Sequence, residues 1–104
     1  MGDVIFSENN GTLVARLSSE IDHHSAKNMR EKIDEMLFCK RPEILVLDFS
    51  LVRFMDSSGI GLILGRVEVA GMLGCHVRIT ALSELLMKIV RLSGIERVKN
   101  LSIG

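Results

Sequence analysis

A strand pattern that is followed closely by a polar helix start is the feature that most limits how this chain folds. Residues 44–66 read ILVLDFSLVRFMDSSGIGLILGR. The apolar run Ile44–Phe49 is broken by a single aspartate, and such a run predicts a central strand that is covered on both faces. After a short connector comes the polar cluster Asp56-Ser57-Ser58-Gly59, and an apolar, glycine-rich segment then predicts a helix to about residue 73. The serine pair therefore lies at a helix start beyond a strand, where unsatisfied backbone amides favour anions.

The predicted helix contains four glycines, namely Gly59, Gly61, Gly65 and Gly71. Each interior glycine costs about 1 kcal/mol relative to alanine. Close packing against a sheet or against a partner is the interpretation that we favour for these glycines. The other residues of this segment are apolar nearly all round, which predicts either complete burial or one face that is left for a partner.

The preceding sequence predicts a hairpin and an amphipathic helix. Two β-type runs, Val4–Phe6 and Thr12–Leu17, flank an Asn-Gly pair, which is the strongest short signal for a hairpin turn. Apolar residues then recur at helical spacing between Ala26 and Leu37, with charged residues on the other face. Asp22 or Ser25 would cap the start of this helix.

The later sequence alternates strands and helices. Pro42 ends the first helix. Apolar and polar residues alternate over Cys75–Thr80, which predicts a strand with one more polar face. Ser83 would cap a short helix that Gly94 closes, and Ile95–Leu101 would add a last short strand. The order ββαβαβα(β) predicts right-handed parallel crossovers and a mixed sheet.

The composition predicts one folded domain and excludes several kinds of partner. The chain has 104 residues, 47% of them hydrophobic, so we expect residues 1–104 to form a single domain. Its 13 basic residues balance 13 acidic ones without a dense basic run, so nucleic acid is not an expected partner. No apolar run reaches the roughly 18 residues that span a bilayer, and the N-terminus lacks a signal-peptide pattern, so we expect a cytoplasmic protein without a membrane partner. Cys39 and Cys75 are expected to be buried or half-buried thiols rather than metal ligands or a disulfide.

Several site interpretations compete for the polar residues. A dinucleotide fingerprint would need a third glycine where Leu64 stands, and no phosphate-loop GK[ST] occurs. The hydrolase elbow G-x-S-x-G is not matched around Ser57 and Ser58. His23-His24 point apart at a helix start without further ligands at metal spacing, so a solvated helix end is favoured. From the residues alone, Asp56-Ser57-Ser58 would be good N-cap residues and nothing more.

The chain resembles the STAS-domain anti-sigma factor antagonists, specifically the sporulation type that antagonises the anti-sigma F kinase. The resemblance rests on LDFSLVRFMDSSGIGLILGR, on Glu20–Ser25 (EIDHHS) and on Leu92–Ile95 (LSGI). It implies a STAS fold, which is an α/β single domain with a mixed sheet of four to five strands and helices packed mainly on one face. Family members usually continue into a further C-terminal helix, so the packing of residues 95–103 is where we expect a departure.

The resemblance implies a phosphorylation switch and no catalysis by this chain. Ser57 is the implied phosphate acceptor, with Ser58 as the alternative, and the anti-sigma factor is itself the serine kinase that binds ATP or ADP. The unphosphorylated form would bind this kinase and release the sigma factor; phosphorylation would abolish binding, and a serine phosphatase would reset the switch. No metal or cofactor of its own is implied. The partner-binding residues would be Asp22, His23, Asp56, Ser57, Ser58, Gly59 and Ile60.

Two other functions remain as alternatives. One is a STAS domain that serves another partner, such as a different anti-sigma kinase, a stress-signalling complex or an anion transporter. The other is a nucleotide-binding module, which the glycines and the helix start suggest but which lacks a phosphate-loop lysine.

Overall fold

The computed structural model describes residues 3–104, which form a five-stranded mixed sheet and three α-helices. The strands follow chain order across the sheet; β1 pairs antiparallel with β2, and all later neighbours are parallel. This architecture confirms the predicted STAS fold. The elements are β1 Val4–Asn9, β2 Thr12–Leu17, α1 His23–Lys40, β3 Ile44–Asp48, α2 Ser57–Met72, β4 His76–Thr80, α3 Glu84–Ser93, a single 3-10 turn at Ile95–Arg97, and β5 Leu101–Ile103.

Only one face of the sheet is fully covered. Leu13, Leu45 and Val77 lie in register across β2, β3 and β4, and each is fully buried. Together with apolar residues of all three helices they form one core. On the opposite face, Val46 of β3 is half-exposed beside an exposed Arg78. The prediction that β3 is covered on both faces is therefore wrong, because a short apolar run does not by itself distinguish one-sided from two-sided burial.

The turns and helix ends agree with the local sequence signals. Asn10 and Gly11 both have positive φ, at 49° and 83°, as a two-residue hairpin turn requires. Ser83 Oγ accepts a hydrogen bond from the Leu86 amide at 3.2 Å, which confirms the cap of α3. Gly94 closes α3 in the left-handed conformation. Within residues 3–104, no helix is long and apolar enough to cross a bilayer.

Three details differ from the sequence-based expectations. The first strand runs to Asn9 rather than ending at Phe6. The predicted strand over residues 95–101 begins with a 3-10 turn, and its β-structure is confined to β5. Cys39 is exposed rather than buried, whereas Cys75 is buried and burial raises the pKa of its thiol.

Candidate functional site

The N-termini of α1 and α2 are held side by side, beyond the C-terminal ends of the inner strands β2 and β3. The segments that precede them form a parallel β-bridge between Ile21 and Met55. The Ile21 amide donates to the Phe54 carbonyl, and the Asp56 amide donates to the Ile21 carbonyl, both at 3.1 Å. The two motifs that stand apart in the sequence, Glu20–Ser25 and Phe54–Ser58, are thereby joined into one site.

An aspartate caps each of these helices. Asp56 Oδ1 accepts a hydrogen bond from the Ser58 amide at 2.7 Å. Asp22 Oδ1 accepts from the Ser25 amide at 2.9 Å, and Ser25 Oγ accepts from the Asp22 amide at 2.9 Å, which completes a capping box. The hydrogen bond from the Ser25 amide lowers the pKa of Asp22, so this carboxylate is ionised at neutral pH. Both aspartates are exposed and can contact another molecule.

The two serines are presented differently to solvent. Ser57 is the first residue of α2 and is exposed, whereas Ser58 is half-buried. In the described part of the chain, neither hydroxyl forms a hydrogen bond. Of the two serine hydroxyls at the start of α2, the Ser57 hydroxyl is therefore the more accessible to a modifying enzyme.

The remaining predicted partner-binding residues flank the serines with different degrees of exposure. His23 is exposed and Ile60 is half-buried. Gly59 is buried, and a Cβ at this position would lie 2.5 Å from Met55 Sδ and 3.0 Å from Met55 Cβ. The absence of a side chain at Gly59 thus lets α2 begin close to the bridge residue. A direct partner contact through Gly59 stays a prediction.

A basic groove begins beside Ser58 and runs between α1 and α2. It has a volume of about 260 Å³ and is lined by His23, Ala26, Lys27, Arg30, Ser58, Gly61 and Leu62. A Cβ at Gly61 or at Gly65 would meet no atom within 4 Å. Close packing within the described residues therefore explains Gly59 but does not explain Gly61 or Gly65, for which the partner interpretation stays a prediction.

An ion pair that the sequence did not predict joins α1 and α2. Arg66 is only 3% exposed, and its Nε lies 2.9 Å from Asp34 Oδ1 without hydrogen-bond alignment. Arg66 Nη1 is buried without a hydrogen-bond partner among residues 3–104. Burial lowers the pKa of Arg66 and raises that of Asp34, so desolvation outweighs their mutual attraction. Arg66 follows an apolar stretch in the sequence, which gave no sign that its side chain would be buried.

Metal ligands are not clustered at this site or elsewhere in the described chain. Across residues 3–104, no group of three or more His, Cys, Asp or Glu side chains is arranged to hold a metal ion. His23 and His24 have their ring centroids 5.8 Å apart in an edge-on arrangement, and both are exposed. The site therefore offers the exposed hydroxyl of Ser57 near the carboxyl groups of Asp22 and Asp56.

Comparison with known proteins gives consistent matches. Residues 3–102 match the STAS domain family. An anti-sigma F factor antagonist from Paenibacillus polymyxa is 33% identical over 88 residues, which cover 85% of this chain and 75% of that protein. The structure of the anti-sigma factor antagonist SpoIIAA in its unphosphorylated form superposes with a TM-score of 0.81 at 27% identity, over 98% of this chain and 88% of that one. The phosphorylated form of SpoIIAA, described as a Bacillus cell fate determinant, gives a TM-score of 0.73 at 27% identity, over 98% and 91% of the two chains.

Proposed function

The chain belongs to the STAS domain family, and from that premise we propose that it is an anti-sigma factor antagonist that is switched by phosphorylation of Ser57. The unphosphorylated form binds an anti-sigma factor serine kinase, which carries ADP or ATP, and so releases the sigma factor for transcription. Phosphorylation of Ser57 by that kinase abolishes the complex. The related proteins whose names include anti-sigma F factor antagonist support a role in sporulation.

The observation that supports this proposal most directly is the exposed Ser57 hydroxyl at the first turn of α2. Two nearby carboxylates, Asp22 and Asp56, are oriented by hydrogen bonds from backbone amides of their helices. The bridge between Ile21 and Met55 keeps them together. A kinase that binds these two helix starts would meet the Ser57 hydroxyl on an ordered helix turn, and such positioning favours both docking and phosphoryl transfer.

The charge of a phosphate explains how one modification abolishes binding without unfolding the chain. A phosphoserine carries about −1.5 to −2 charges at neutral pH. The amides at the start of α2 favour an anion there, so the fold tolerates it. A partner surface that matches a neutral hydroxyl would instead face a desolvated charge beside Asp56, which costs several kcal/mol. Since about 1.4 kcal/mol is a factor of ten, affinity falls by about a hundredfold or more.

The rest of the proposal concerns partners and place of action. A serine phosphatase removes the phosphate and resets the switch, and the chain itself, as a STAS domain over residues 1–104, performs no catalysis. The proposed kinase-contacting residues are Asp22, His23, Asp56, Ser57, Ser58, Gly59 and Ile60. The site of action is the cytoplasm, where sigma factors operate. Nucleic acid and membrane are not partners in this scheme.

Phosphorylation by the cognate kinase tests the proposal. We would incubate the wild type, Ser57→Ala and Ser58→Ala with the kinase and Mg-ATP, then read intact mass and fragment spectra. The expected result is one phosphate on Ser57 in the wild type and in Ser58→Ala, and none in Ser57→Ala. Ser58→Ala is a matched control, because it removes the neighbouring hydroxyl and leaves the proposed acceptor.

Two other results would change the proposal in different ways. A phosphate on Ser58 alone would keep the switch and move its position by one residue. No phosphate on any form, with the kinase active on a control substrate, would overturn the proposal in favour of a STAS domain with another partner. Nucleotide binding by the isolated chain, measured in the same samples without kinase, would favour the nucleotide-binding alternative.

A further inference from the structure

We propose that the basic groove between α1 and α2 binds an acidic surface segment of the kinase. The inference rests on the proposed function, because a kinase that phosphorylates Ser57 must cover the surface next to it. The groove begins at Ser58, which is adjacent to that acceptor. The segment of the kinase that extends beyond the acceptor serine therefore lies over the groove.

The charges of the groove determine what kind of segment it fits. Lys27 and Arg30 stand on the α1 wall and are both exposed. Neither forms an ion pair within residues 3–104, although Lys32 and Lys40 of the same helix pair with acidic residues. No acidic residue lines the groove. Two cations that line the groove without an acidic residue among its lining favour carboxylates on the partner.

The buried Arg66 and Asp34 add no net charge to the helix pair, because they pair with each other. Asp34 is the only acidic neighbour of Arg66 at ion-pair distance in the described chain. Arg30 interacts with Asp34 only at longer range, because the ion pair of Asp34 within residues 3–104 is made with Arg66. The residues that line the groove therefore carry an excess of positive charge, even though the whole chain has a formal net charge of zero.

The shape of the groove suits a protruding side chain rather than a flat surface. Ala26 and Gly61 form parts of its walls, and the space where a Gly61 Cβ would stand has no atom within 4 Å. Leu62 is buried at the base, with 4% of its surface exposed. The groove thus has an apolar floor and a cationic rim, which fits the alkyl stem and the carboxylate of a glutamate.

This assignment also connects the groove to the switch. A phosphate on Ser57 would place negative charge at the open end of the groove. The kinase carboxylates that are attracted by Lys27 and Arg30 would then be repelled by that phosphate. Attraction before phosphorylation and repulsion after it act on the same partner groups, which enlarges the change in affinity.

Charge reversal in the groove tests the proposal against a matched control. The test variant is Lys27→Glu with Arg30→Glu. The control is Lys88→Glu with Arg91→Glu on α3, where an exposed lysine and arginine have the same spacing in the sequence. Dissociation constants for the ADP-loaded cognate kinase would be measured at about 0.05 M and about 0.3 M salt, because exposed charges are screened at the higher concentration. Thermal unfolding of each variant shows whether it is folded.

The groove variant is expected to bind about tenfold more weakly or worse at low salt, and to bind less weakly at the higher salt concentration, where the new repulsion is screened. The control variant should bind within about twofold of the wild type. A second variant, Lys27→Gln with Arg30→Gln, should fall between the two, because it removes attraction without adding repulsion.

The outcomes separate this inference from the proposed function. Wild-type affinity in the folded groove variant, together with phosphorylation of Ser57 as proposed, would overturn the groove assignment alone. Equal losses in the groove and control variants would also overturn it, since the effect would then come from overall charge. No binding of the kinase by the wild type would overturn both.

Discussion

Replacing Gly59 with alanine should destabilise the fold, whereas the same replacement at Gly61 or Gly65 should stabilise it. All three glycines lie in α2, but their surroundings differ. A Cβ at Gly59 would lie 2.5 Å from Met55 Sδ and 3.0 Å from Met55 Cβ and Cγ, whereas a Cβ at the other two positions would meet nothing within 4 Å. The sulfur is at a mobile position of its side chain, but the Met55 Cβ is fixed to a backbone that pairs with Ile21.

The size of each effect follows from two opposing terms. Alanine gains about 0.5–1 kcal/mol over glycine in a helix interior, and this is the whole expected effect at Gly61 and Gly65. Overpacking of a filled core costs about 1–3 kcal/mol, and this term applies at Gly59 alone. Gly59→Ala should therefore be about 1–3 kcal/mol less stable than Gly65→Ala. In a domain of this size, each kcal/mol moves the melting temperature by about 4–8 °C.

Urea and thermal unfolding of the three single variants would measure these differences. A control places Gly59→Ala in a Met55→Gly background, which removes Cβ as well as Sδ, so the added methyl should no longer cost free energy relative to Met55→Gly alone. If Gly59→Ala melts at or above Gly65→Ala, Met55 yields freely and the close approach of α2 to the bridge does not require glycine. The reasoning would also fail if the cost persisted without the Met55 side chain.

The other predictions concern charged residues of α1 and α2. Replacement of both partners, Arg66→Met with Asp34→Leu, should be neutral or stabilising by up to about 4 kcal/mol, because burial of the ion pair costs more than its attraction returns. Asp34→Ala alone should cost about 3 kcal/mol, because it leaves Arg66 buried and unpaired. Urea unfolding would measure both, and a strongly destabilised double variant would contradict the argument. Asp22→Ala should lower the melting temperature by a few degrees at pH 7 through loss of the capping box. The hydrogen bond from the Ser25 amide lowers the pKa of Asp22 below 3.8, so the ionised carboxylate stabilises the fold above that pH. The difference in melting temperature between the wild type and Asp22→Ala should therefore shrink as the pH falls further. An unchanged difference in melting scans between pH 7 and pH 2 would count against this role.

Local features of the site were predictable because each depends on residues within a few positions. The caps at Asp22, Asp56 and Ser83 were recognisable from residue type followed by a helical pattern, and all three accept the expected backbone hydrogen bonds. The Asn10-Gly11 turn was recognisable because few residue pairs tolerate positive φ at both positions. The element order followed from the same local signals, apart from the last strand.

Features that depend on contacts between distant residues were not predictable in the same way. The covered face of β3 was misjudged, because Val46 is as apolar as the buried Leu45 and Leu47 and yet faces the open side of the sheet. The burial of Arg66 was missed, because nothing near it in the sequence is its partner; Asp34 lies on another helix. The four glycines of α2 looked alike in the sequence, but only Gly59 meets a close neighbour.

The sequence by itself determined the family, the order of strands and helices, and the polar helix start that contains Ser57, since short motifs and the spacing of apolar residues indicate each of them. Tertiary structure decided the arrangement of the site. The bridge between Ile21 and Met55 places two helix N-termini together, and the packing of α1 against α2 leaves a basic groove open beside them. The physical reason is that the spacing of apolar side chains indicates which residues are buried, whereas only the packed chain specifies which surfaces meet and which remain free for a partner.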